Sequence, residues 1–280
     1  MKLTVGDAFS AVFDAVREFR WTEFSPFFLI LMAQWIFLGL TTQLHHSWAM
    51  GVVAPIAQLA GGTQNLHYPA FYGYLSILLG WVESFLYSVA GAVLIPLSLL
   101  RYYARSDRAL SLGAGSATRL VSAVLPTLLA GLAGIGCIWG WQRFASPQLM
   151  TAWRQWAPEP MGGFLGWLAV TLGGYAIQTL VVYIPVAAVQ ARTNPIRAIG
   201  YGLRFGIRSW PLTLLFAVFF GAPAIFVQFL LERQGGFILA RLRPEVIVAF
   251  LAVYAAATSV ATHLTYNTAA RLYTLARGEK

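Results

Sequence analysis

Apolar residues fall into six long runs, at roughly 24–42, 74–100, 120–141, 164–190, 210–231 and 246–266. The stretches between them hold most of the charge. A helix of ~20 residues, rising 1.5 Å per residue, crosses ~30 Å of hydrocarbon. The run from Leu120 to Trp141 contains no charged residue at all. Barrel strands would read instead as alternating segments of ~10 residues. Backbone in lipid must satisfy its own hydrogen bonds, so runs of this length predict helices. The expected fold is an all-α integral membrane six-helix bundle, one domain over residues 22–275. A cytoplasmic amphipathic helix over 1–21 precedes it, and a short tail over 276–280 follows.

The leading segment has its own pattern. Phe9, Val12, Phe13, Val16 and Phe19 recur at helical spacing on one face, and Asp14, Arg17, Glu18 and Arg20 lie around the other. Thr4 and Asp7 have the spacing of a capping box, with Asp in place of the preferred Glu. Such a helix either lies in a membrane interface or packs beneath the bundle. The first apolar run is too long for a signal-peptide core and is expected to be retained. The 43–73 segment has no Lys, Arg, Asp or Glu, and a short helix over Val52–Leu59 is expected within it. Pro96, Pro126, Pro185 and Pro223 are expected to kink four of the spans.

Composition agrees with the pattern. Hydrophobic residues make up 58% of the 280 and charged residues only 10%, against about 25% charged in soluble domains. The net charge of +9 suggests nucleic acid until its distribution is considered. Fourteen of the nineteen Lys and Arg residues lie in the two ends and the 101–119 and 191–209 connectors. If the spans alternate, these share one side. The positive-inside rule makes that side, and both termini, cytoplasmic, with phospholipid rather than nucleic acid as the implied partner. The single cysteine, Cys137, allows no disulfide framework within the chain. No glycine-rich phosphate loop ends in Lys-Ser or Lys-Thr, and no cofactor is implied. His45, His46 and His67 share one segment without a nearby carboxylate, so no metal site is assigned.

An internal repeat appears at an offset of 89 residues. IPLSLLRYYARSDRALSLGAGSATR begins at Ile95 and IPVAAVQARTNPIRAIGYGLRFGIR at Ile184. Ile95 and Ile184, Pro96 and Pro185, Arg108 and Arg197, Ala109 and Ala198, Gly113 and Gly202, and Arg119 and Arg208 coincide. Each copy ends one span, forms a basic connector and begins the next. Copies running in the same sense imply a parallel repeat about the membrane normal.

These residues carry a resemblance. The start LTVGDAFSAVFDAVREF, the segment NPIRAIGYGLRFGIRSWPLTLLF and the ending NTAARLYTLARGE resemble the bacterial YciC-like six-span membrane proteins. The wider group shares the membrane domain found with some glycerophosphoryl diester phosphodiesterases. The resemblance implies a six-helix inner-membrane fold and no reaction, because the phosphodiesterase activity belongs to a separate soluble domain.

Candidate chemistry is sparse. Arg197, Tyr201, Arg204 and Arg208 fall on one face of a helix opened by Pro195, and Arg108 and Arg119 hold the equivalent places in the first copy. Such a row could grip lipid phosphates, since guanidinium binds phosphate through two parallel hydrogen bonds, or snorkel to headgroups as a topology signal. Ile196, Ile199 and Leu203 are expected to anchor the helix. Glu83 is the only acid well inside a span, where an ionised carboxylate costs ~2.5–3.5 kcal/mol, so it is expected to face a bundle interior or cavity. Gln34, Gln178 and Gln228 are expected to bond between helices. Ser259 and His263 are one turn apart but lack an orienting acid and an oxyanion hole in sequence, so no catalytic site is assigned. The leading expectation is a non-enzymatic inner-membrane protein that contacts phospholipid. A secondary transporter using Glu83, or a membrane-embedded lipid hydrolase or transferase, are the alternatives.

Overall fold

Thr4 opens the first helix, α1 (Val5–Arg17), through a reciprocal cap. Its hydroxyl accepts from the Asp7 amide at 3.2 Å, and its own amide donates to the Asp7 carboxylate at 2.8 Å. The computed structural model of the chain describes residues 4–44, 46–59, 70–106, 115–158, 161–190, 194–241 and 245–277. The described residues outside short connections are helical, with no strand among them.

The spans follow the apolar runs but are divided differently. α2 (Trp21–Thr41) crosses once. α3 (Ser47–Leu59) is a shorter apolar helix that starts earlier than Val52, because Ala49, Val53 and Ala57 already form a buried row at four-residue spacing. The second apolar run becomes two helices, α4 (Ala70–Val89) and α5 (Gly91–Ser106), bent by 59° at Ala90. α6 (Gly115–Gly140) runs through one π-helical turn at Trp141–Ala145 into α7 (Ser146–Trp156). The fourth run is also broken, into α8 (Met161–Val181) and the short α9 (Tyr183–Gln190). α10 (Pro195–Arg241) and α11 (Glu245–Arg277) are long and continuous. Five segments are long and apolar enough to cross a membrane, and the bent α4–α5 pair makes a sixth when taken as one span.

The helix continues through Pro126 and Pro223 but stops at Ala90 and Val182. A proline crowds the carbonyl four residues before it. For Pro185 that carbonyl belongs to Val181, where α8 ends. Both copies of the sequence repeat therefore share one element order: a long helix, a break, and a short helix carrying Ile-Pro. A basic connector and a second long helix follow.

Two apolar clusters fill the bundle. One lies toward α1 and joins Phe24 and Phe27 of α2, Leu99 and Tyr103 of α5, Tyr183 and Val186 of α9, and Ala269, Ala270, Leu272 and Tyr273 of α11. The other joins Phe37 and Leu38 of α2, Val53 of α3, Leu75 to Leu79 of α4, and Ile247 and Leu251 of α11. The first depends on close approach. β-carbons added at Gly202 and Gly206 would lie 2.6 Å from the Ile184 Cα and 2.4 Å from the Leu180 carbonyl oxygen. Ala198, Gly202 and Gly206 thus form a small-residue row that lets α10 touch the α8–α9 backbone.

Candidate functional site

Three polar groupings stand out, and the first is the basic row of α10. Arg197, Tyr201, Arg204 and Arg208 are all exposed on one face of its first turns. None makes an ion pair among the described residues. Ile196 and Leu203, expected as anchors, are exposed at 75% and 40%. The bundle side is instead Ala198, Gly202, Gly206 and Ser209, because glycine permits a backbone contact that a branched side chain would hold apart. The Arg row therefore lies between a bundle-facing row and a surface-facing apolar row of Ile196, Leu203 and Ile207. Arg119 is half-buried near the start of α6, without an ion pair among the described residues. Arg108 lies outside the described residues.

The second grouping was read in sequence only as topology signal. Arg105 at the end of α5 bridges Glu18 at 3.0 Å and Glu23 at 3.2 Å. Arg271 near the end of α11 bridges Asp14 and Glu18. Glu18, Arg105 and Arg271, together with Arg20 and Tyr102, line a polar cleft of about 440 Å³. The network fastens α1 to the bundle. The inner face of α1 is Ala8, Ala11 and Ala15, all buried, while Val5, Phe9, Phe13 and Val16 are more than half exposed. Helical spacing announced the two faces, but only the fold shows that the alanines, not the phenylalanines, pack inward.

The third grouping lies between the two apolar clusters. Glu83 on α4 is half-buried, and the Tyr254 hydroxyl of α11 interacts with its carboxyl group. Tyr87, one turn along α4, donates to Ser259 of α11 at 3.1 Å. Tyr175 of α8 also interacts electrostatically with Glu83, and its hydroxyl would meet a β-carbon at Gly221 at 2.4 Å. From here α11 carries two polar rows at four-residue spacing. One is Tyr254, Thr258, Thr262 and Tyr266, and the other Ser259, His263, Asn267 and Arg271. His263 is fully buried, its Nε2 lies 3.2 Å from the Asn267 amide nitrogen, and the rings of Phe19, Phe24 and Phe27 surround it at 5.3–5.5 Å. Sequence reading singled out the Ser259 and His263 pair but missed the rows. The four-residue recurrence of hydroxyl and amide side chains along the sixth run was the available signal.

The glutamines separate. Gln34 is fully buried and neither amide atom has a hydrogen-bond partner among the described residues. Gln178 is exposed, and Gln228 is half-buried. Among the described residues no three His, Cys, Asp or Glu side chains come together in a metal-binding group. No family model, curated protein or solved structure matches the chain.

Proposed function

We propose that this multi-pass membrane protein is a non-enzymatic component of a bacterial inner membrane that holds anionic phospholipid through the α10 basic row, with an accessory, lipid-handling role in the envelope. The observation carrying this reading is a contrast between its two basic groups. Arg105 and Arg271 already have carboxylate partners. Arg197, Arg204 and Arg208 have none among the described residues and sit beside exposed Ile196, Leu203 and Ile207. Three guanidinium groups on one helix face next to an apolar row match phosphates at the boundary between headgroup and acyl chain.

The test exploits geometry rather than charge. Changing all three arginines to lysine keeps the charge but removes the planar fork that binds phosphate bidentately. Native mass spectrometry from mild detergent should show less retained anionic lipid in this variant than in the unaltered chain. Equal retention would reduce the row to a topology signal and remove the residue-level support for lipid handling.

A further inference from the structure

Glu83 is a carboxyl group set among phenols and hydroxyls, in the gap between two apolar clusters. We propose that it is the proton-binding site of a path through the membrane domain, entered from the α1 cleft along the polar rows of α11. This goes beyond the lipid reading and stands or falls separately from it.

The surroundings of Glu83 make a proton the natural neutralising charge. The titratable groups that face it are Tyr87 from its own helix, Tyr254 from α11 and Tyr175 from α8. All three are phenols, and no Lys, Arg or His of the described residues pairs with it. An intramembrane acid without a cationic partner must take its balancing charge from elsewhere. The Tyr254 hydroxyl can donate to the carboxylate or accept from the acid, so either state keeps a hydrogen bond.

The route follows from the spacing on α11. Tyr87 links the Glu83 turn to Ser259 at 3.1 Å. His263 and Asn267 follow at four-residue steps, and Asn267 is one such step from Arg271 at the cleft. Imidazole can accept a proton on one nitrogen and release it from the other. Among the described residues, His263 Nδ1, Asn267 Oδ1 and Thr268 Oγ1 are buried and have no hydrogen-bond partner. Buried polar atoms on one helix are the ordinary setting for bridging water. At the far end Glu18 and Asp14 hold Arg271 at the mouth of the route. The Phe19 and Phe24 rings lie against His263 beside this cleft, so the segment joining α1 to α2 caps the route.

Infrared difference spectra after a pH jump, taken on the full chain in nanodiscs of zwitterionic lipid, test both parts. A protonated-carboxyl band that rises and falls with pH, disappears in E83Q and moves in Y254F is expected. His263→Phe fills similar space with a ring that carries no proton. It should leave the amplitude of the band alone and slow its response by about tenfold or more. Should that variant not fold, Ser259→Ala and Asn267→Leu interrogate the same route. Absence of an E83Q-sensitive band, or a band indifferent to pH, overturns the site. An unaltered response rate in a folded route variant overturns the path.

Discussion

The contact of α10 with the α8–α9 break can be tested with a single methyl group. Alanine at Gly206 would put a β-carbon 2.4 Å from the Leu180 carbonyl oxygen, where ordinary contact begins at 3.4 Å. The obstacle is backbone, so no side-chain rotation relieves it, and α10 must retreat by about 1 Å. Overpacking of this kind costs ~1–3 kcal/mol. Alanine also favours the helix over glycine by ~1 kcal/mol, which would mask part of the loss. Gly200→Ala on the same helix is the matched control, because its β-carbon would meet nothing within 4 Å. The difference between the two variants isolates the contact. At roughly 2–4 °C per kcal/mol, Gly206→Ala should melt roughly 2–12 °C below Gly200→Ala in size-exclusion thermal-stability assays. Adding Gly202→Ala should cost less than its own single effect, since one retreat relieves both clashes. Equal melting of Gly206→Ala and Gly200→Ala would refute the close-approach argument.

Other expectations concern the ends of the bundle. Arg105→Ala leaves the Glu23 carboxylate, whose side chain is 3% exposed, without its ion pair. It should cost ~3–5 kcal/mol, against at most ~1 kcal/mol for a pair of exposed charges. Denaturation of the purified protein would show a loss no larger than that of an exposed pair if Glu23 finds another partner. The Thr4 backbone amide, and then its hydroxyl, hold the Asp7 carboxyl group below its ordinary pKa of 3.8. A depressed acid contributes stability above its unfolded pKa and loses it as pH falls through the folded value. Protection of the first turn of α1 against hydrogen exchange, taken relative to the intrinsic rate at each pH, should therefore fall in acid and, for Asp7→Asn, already at neutral pH. With Cys137→Ser as background, Ile196→Cys should resist an impermeant thiol reagent added outside, whereas Leu59→Cys should react. The reverse pattern would invert the proposed orientation.

What the sequence determined by itself is whatever depends on local transfer from water to hydrocarbon. Uncharged runs of span length required membrane helices wherever the rest of the chain went. The spacing of Thr4 and Asp7 required the cap, because both partners lie within one turn. The amphipathic pattern of α1 likewise announced two faces. What only the tertiary structure decided depends on which side of a helix meets a neighbour. An apolar residue can satisfy lipid or core equally well, so hydropathy could not tell that Phe9 and Phe13 face outward while Ala8, Ala11 and Ala15 pack inward. The same degeneracy hid the bundle-facing role of Gly202 and Gly206, whose value is the absence of a side chain at a crossing. Arg105 and Arg271 read as topology signals until folding placed them against Asp14, Glu18 and Glu23, between 82 and 257 residues away along the chain. Glu83 and the rows of α11 were legible as polar residues in apolar runs, but their meeting depends on helix rotation. In a membrane that rotation is set by packing and hydrogen bonding between helices, because lipid gives no hydrophobic force to orient them.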